Sequence, residues 1–131
     1  MVVYETVLVD TDILIKAYRG DKRKQQNLKS LNDKYCISVI TACELLNGAK
    51  SINQRIEFNK VLRHYYIAQI DEKTSMIALS LFKEFSFKNK MKISDAFIAA
   101  IAIRNDLAIY TDNKKDFDFI DKINFYKEKE N

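Results

Sequence analysis

The sequence has no proline and no tryptophan, and it has only two glycines, two cysteines and one histidine in 131 residues. With so few chain-breaking residues, no low-complexity stretch and no repeat, nothing marks a linker or a domain boundary. One domain over residues 1–131, built on one core, is the expectation. Cys36 and Cys43 form neither a CxxC pair nor a disulfide framework. Each sits in an apolar segment and reads as a buried free thiol of a cytoplasmic protein. No apolar run approaches the roughly 20 residues of a membrane span. Met1 to Thr6 includes Glu5 and has no basic start followed by an apolar run, so no secretory leader is expected. The lone His64 adjoins a Tyr-rich segment away from every acidic motif and reads as a surface or edge residue. Charge of neither sign is scarce: 22 Lys and Arg against 18 Asp and Glu leave +4. That balance leans toward a polyanionic partner such as nucleic acid without requiring one.

What is present is apolar material in short blocks: 47% hydrophobic residues, with eight Phe and seven Tyr. That is enough for a packed core and argues against disorder. The organising stretch is Val7-Leu8-Val9-Asp10-Thr11-Asp12-Ile13-Leu14-Ile15. Val7 to Val9 reads as a buried strand and Ile13 to Tyr18 as a helix, which puts Asp10 at the carboxyl end of a strand, where open α/β sheets bind ligands. Further along, Asp21 to Lys34 reads as an exposed lysine-rich helix and Tyr35 to Ser38 as a strand. Val39 to Lys50 reads as a helix with Val39, Cys43 and Leu46 on its apolar stripe and Gly48 near its end. Ile52 to Arg63 reads as a helix carrying Phe58 and Leu62, and Tyr65 to Ile70 as a strand. Asp71 can cap a long helix with Ala78, Leu81, Phe82 and Phe85 on one face. Ser94 to Ile103 is apolar almost all round and should be a central helix. Leu107 to Tyr110 reads as a strand and Ile123 to Tyr126 as a candidate last one. Strands alternating with helices imply an α/β fold with a mainly parallel sheet of four or five strands, covered on both faces.

The acids are placed non-randomly in that pattern. Asp10 and Asp112 follow strands, while Glu44 and Asp95 lie on helices apolar enough to pack on the sheet. No Lys or Arg lies within Val39–Ala49 or Ile93–Ile103 to neutralise the latter two locally. Buried carboxylates persist only when paired, hydrogen-bonded or metal-bound. If these converge, repulsion raises their pKa values unless a cation sits among them, and an all-oxygen ligand set suits Mg²⁺ or Mn²⁺. Each acid also has a plainer reading. Thr41-Ala42-Cys43-Glu44 fits a capping box. Asp95 could be a first-turn acid behind a Ser94 cap, Asp12 a helix cap, and Asp112 and Asn113 turn residues. The plain readings do not predict all of these acids at strand ends and on apolar helices of one small domain.

Four blocks carry a family resemblance. They are Val7 to Ile15, Ile37-Ser38-Val39-Ile40-Thr41-Ala42-Cys43-Glu44-Leu45-Leu46-Asn47-Gly48-Ala49, Ile93-Ser94-Asp95-Ala96-Phe97-Ile98-Ala99-Ala100-Ile101-Ala102, and Tyr110-Thr111-Asp112-Asn113-Lys114-Lys115-Asp116-Phe117. In this order and spacing the chain resembles a PIN-domain ribonuclease, and specifically the VapC-type toxin of toxin–antitoxin pairs. The resemblance implies a single PIN-like domain whose three acids match Asp10, Glu44 and Asp95. The family's fourth position, Thr then any residue then Asp or Asn, falls on Asn113. That neutral ligand leaves the charge at the corner to Asp112 or Asp116, of which Asp116 is favoured. Thr111 and Ser94 would orient the acids. It further implies a magnesium-dependent endoribonuclease (Mn²⁺ being an alternative ion), RNA as substrate, a homodimer, and a small protein antitoxin that plugs the acidic pocket. Glu44 or Asp95 would orient or deprotonate the attacking water. Arg19, Lys22, Arg23 and Lys24, then Lys88, Lys90 and Lys92, then Lys114 and Lys115 are candidates for phosphate contacts, the last two groups being the better placed. Two alternatives stand beside this: a PIN-like RNA-binding module without catalysis, and a haloacid-dehalogenase-type phosphatase. The phosphatase fits Asp10-Thr11-Asp12 but not Leu14.

Overall fold

The computed structural model describes residues 6–130; the expectation that the chain starts without a secretory leader concerns residues outside that range. Four short strands form a wholly parallel sheet in the order β3-β2-β1-β4. They are β1 (Val7–Val9), β2 (Tyr35–Ser38), β3 (Tyr66–Ala68) and β4 (Ala108–Tyr110). Registers pair Val7 with Tyr35 on one side and with Ala108 on the other.

Alternation along each strand builds two cores. Val7, Val9, Ile37 and Tyr110 point to one face. There they meet helices α1 (Thr11–Tyr18), α2 (Lys22–Ser30), α3 (Val39–Asn47) and α4 (Ile52–Leu62), through Ile13, Leu14, Leu28, Ala42, Leu45, Phe58 and Leu62. Leu8, Cys36, Ala68 and Ile109 point to the other face, against α5 (Glu72–Phe85) and α6 (Ile93–Asn105). The α6 residues Ala96 and Ile98 to Ala102 are all buried, as a helix apolar on every side requires. Among the described residues no helix is long and apolar enough to cross a membrane. Helices α1 and α3 begin where β1 and β2 end, and α6 ends just before β4 begins, so the amino ends of α1, α3 and α6 lie at the carboxyl edge of the sheet.

Several details differ from the sequence expectations. The candidate fifth strand is a single parallel bridge from Ile109 to Phe125. Backbone bonds Ile109 N–H to Asn124 (2.8 Å) and Tyr126 N–H to Ile109 (2.9 Å) make it, and the chain then leaves the sheet. Asn27 on α2 draws it away, because its Oδ1 accepts from Tyr126 Oη and from Lys129 N, both at 2.8 Å. In α3 the buried face is Thr41, Ala42 and Leu45, not Val39, Cys43 and Leu46. Ser38 caps this helix by accepting from Thr41 N at 2.9 Å, and that start fixes its rotation. Cys43 is therefore exposed, while Cys36 is buried as expected. Helix α2 is not simply a solvated face, since Lys24, Asn27 and Leu28 are buried.

Candidate active site

Asp10 ends β1 and is the N-cap of α1, and it is buried. Its two oxygens are committed to different elements. Oδ1 accepts from Thr11 N at 2.8 Å and Oδ2 from the buried hydroxyl of Thr111, just past β4, also at 2.8 Å. Burial first, then the charge of Asp12, raises the Asp10 carboxyl to about 6, with Asp95 adding a smaller push.

Glu44 stands on the second turn of α3 and is exposed rather than buried. It is not half of a capping box, since Ser38 is the cap. Its Oε1 accepts from Thr11 Oγ1 at 2.6 Å, and the same hydroxyl lies 3.1 Å from Thr41 Oγ1. Asp95 lies half-buried in the first turn of α6, where Lys92 occupies the N-cap without a side-chain bond; Ser94 is not the cap. Burial, then the charge of Asp116, raises Asp95 to about 6; Lys92 pulls against them, and Glu44 adds a lesser push upward. Asp95 is thus the acid that the others surround: its charge acts on Asp10, and those of Asp116 and Glu44 act on it.

The loop after β4 closes this corner. Asp12, in the first turn of α1, accepts from Asp112 N at 2.9 Å and from Asn113 Nδ2 at 3.3 Å. Asn113 N also donates to Thr111 Oγ1 at 3.0 Å. Burial, then the charge of Asp112, raises the Asp12 carboxyl. The Asp112 carboxylate turns away, to Lys16 Nζ at 2.6 Å and Lys24 Nζ at 3.0 Å. Burial works against its ionisation, but the two lysines outweigh that and hold it below the usual carboxylate range. The charge of Asp112 therefore acts on Asp12 but not on Asp10 or Asp95, whereas that of Asp116, beside the buried Phe117, acts on Asp95.

The donor set is all oxygen. Among the described residues, no Lys or Arg forms an ion pair with Asp10, Glu44 or Asp95. Nor do three or more Asp, Glu, His or Cys stand as a ready-made cage; Asp10 and Glu44 are each engaged by a threonine hydroxyl instead. Carboxyls lifted by burial and by one another, without a cationic partner, fit a hard divalent ion.

Sequence reasoning assigned Lys24 to phosphate contact, but its ammonium is buried between Asp112 and Glu128. It missed the guiding role of Thr11 and the ion-pair set of Lys16, Lys24 and Glu128. The partners lie too far apart in sequence to leave a local trace. Lys88, Lys90, Lys92, Lys114 and Lys115 are exposed, as is His64.

Comparison with known proteins bears on this geometry. The family model of the PIN domain matches residues 7–123. The chain is 32% identical over 114 residues to Ribonuclease VapC1 of Methanocaldococcus jannaschii, across 86% of this chain and 79% of that protein. A toxin–antitoxin complex from Klebsiella pneumoniae contains a chain 31% identical to this one; the match covers 94% of this chain and 99% of that one, with TM-score 0.78. VapBC2 from Rickettsia felis, solved bound to a promoter DNA fragment, has the same fold at 24% identity and TM-score 0.81, over 92% and 97% of the two chains.

Proposed function

The chain belongs to the PIN-domain family, and on that premise we propose that it is a VapC-type toxin. In this reading it is a metal-dependent endoribonuclease that hydrolyses RNA phosphodiester bonds and is restrained by a small protein antitoxin. The observation that carries the reading is that Asp10 and Glu44 are each held by a threonine hydroxyl, with no Lys or Arg paired to them or to Asp95 among the described residues, in a chain this similar to a VapC ribonuclease. The phosphatase alternative falls with the family assignment.

Asp10, Glu44, Asp95 and Asn113 would hold Mg²⁺, or Mn²⁺ in its place. The ion would lower the pKa of a bound water and offset charge on the attacked phosphate. Thr111 fixes one oxygen of Asp10, and Thr11 fixes one of Glu44. Glu44, exposed and held by Thr11, would align the attacking water. Asp95, half-buried in the first turn of α6, would share the holding of the ion and the orienting of that water. Asp116 adds the negative charge that the neutral Asn113 lacks. Lysines 88, 90 and 92, with 114 and 115, lie beside the acids in sequence and would take the phosphates of the strand. A single domain over residues 1–131, a homodimer and a cytoplasmic site of action complete the proposal. The antitoxin has support in the resemblance to a solved toxin–antitoxin complex.

The test is cleavage of a single-stranded RNA by the protein and by Asp10→Asn, with RNA binding measured in parallel and Mg²⁺ present. Cleavage lost in the variant with binding kept supports the enzyme. Equal products from both proteins would overturn it. Binding by both without cleavage by either would favour the module that only binds.

A further inference from the structure

The buried lysine on α2 has no part in the chemistry above. Its side chain is 8% exposed, and it reaches two carboxylates from distant parts of the chain. One is Asp112, in the corner beside Asn113; the other is Glu128, in the terminal segment, which also accepts from Tyr110 Oη at 2.6 Å. The ammonium lies 5.9 Å from the centre of the Tyr110 ring. That ring in turn stacks on Tyr126, whose hydroxyl is held by Asn27 on the same helix as Lys24. The lysine therefore sits in a built socket with little freedom to move.

From this geometry we infer that Lys24 is a positioning residue that decides which side chain of the corner faces the acids. It holds the Asp112 carboxylate outward so that Asn113 faces inward. The inward side is marked by the bonds of Asn113 Nδ2 and Asp112 N to Asp12. Lys16 shares the outward hold but is 46% exposed, so it is the weaker of the two anchors. Without Lys24, the Asp112 carboxylate, one residue from the neutral ligand, is left to the exposed Lys16 alone. Swung inward, it gives an ion a stronger but misplaced ligand. The role explains why a corner that displays Asp112 still uses an amide at its fourth position.

This inference rests on the metal-dependent reading, and the experiment separates the two. Mn²⁺ affinity is measured by calorimetry alongside cleavage and melting temperature for the parent, Lys24→Met, Asp112→Asn and the double variant. Lys24→Met is expected to bind Mn²⁺ more tightly, on the order of fivefold, while cleaving about tenfold more slowly. Adding Asp112→Asn is expected to return both toward the parent. Asp112→Asn alone, which keeps the backbone donor and survives any folding failure of Lys24→Met, is expected to change Mn²⁺ affinity less than about twofold, because that carboxylate is not a ligand. If Lys24→Met instead loses affinity and cleavage together with its melting temperature, or matches the parent, the role is overturned. A tenfold loss of affinity in Asp112→Asn overturns it too. A parent protein that binds no Mn²⁺ brings down the metal reading and this inference with it.

Discussion

The hydroxyl of Thr11 donates to Glu44 across 2.6 Å, tying the first residue of α1 to the second turn of α3. An exposed carboxylate on a helix otherwise has several rotamers, so this bond sets where Glu44 points. Thr11→Val removes the donor and keeps the shape. Cleavage should drop by about tenfold or more, with a stability loss of only about 1 kcal/mol. Thr11→Ser, which retains the hydroxyl, should recover most of the rate. A valine variant as active as the parent would mean that Glu44 needs no guide.

Asp10 and Asp95 both stand at about 6 against an ordinary 3.8, burial being the first cause for each. Between those values the folded chain keeps protons that the unfolded chain has released. The stability of the metal-free protein should therefore fall as pH rises from about 4 to about 6. Asp71 and Asp112, held below their usual values, act in the opposite sense but at more acid pH. Melting temperatures taken across this range in metal-free buffer should decline, and Asp95→Asn should flatten the decline. An identical slope in the variant would remove Asp95 from the account.

A divalent ion should reverse that loss at neutral pH. Mn²⁺ at about a hundred times its dissociation constant adds about 2.7 kcal/mol if it binds only the folded chain, which is read as a saturating rise in melting temperature. Asp10→Asn should show little of that rise, because the ion loses a charged ligand. In the cleavage assay, excess chelator should stop the reaction and added Mg²⁺ or Mn²⁺ should restore it. Undiminished cutting in chelator would rule out ion-assisted hydrolysis.

Lys88 and Lys92 flank the turn that leads into α6, and both are exposed. If they meet backbone phosphates, replacing both by alanine should raise KM several-fold and leave kcat much less changed. The logarithm of RNA affinity against the logarithm of salt should flatten by about 0.7 for each phosphate no longer neutralised. A salt slope equal to the parent's would place the RNA elsewhere.

Much of this was legible because strand ends and apolar blocks are local signals. Asp10 is legible from three apolar residues running into an acid, and Asp95 from an acid at the head of a helix apolar on every side. The cap at Asp71 was equally plain, its Oδ1 accepting from Thr74 N at 2.8 Å. The rotation of α3 was not, because nearly every position there is apolar and only the Ser38 cap settles which face turns inward. For the same reason the pattern alone buries Glu44 and puts Cys43 in the core. Lys24 misled because a lysine-rich helix looks the same whether or not one of its ammonium groups meets a carboxylate about ninety residues away. The truncated fifth strand follows from Asn27, whose claim on Tyr126 and Lys129 no pattern of alternation reveals.

The neighbour of β1 on one side is β4, so Asp10 and Asp12 await partners that lie about a hundred positions further on. During translation the amino-terminal part emerges first. A nascent chain 105 residues long has Asp10, Glu44 and Asp95 but neither Asp116 nor the threonine, the backbone donor and the amide that arrange the corner. The corner of the site can therefore assemble only when synthesis is nearly done.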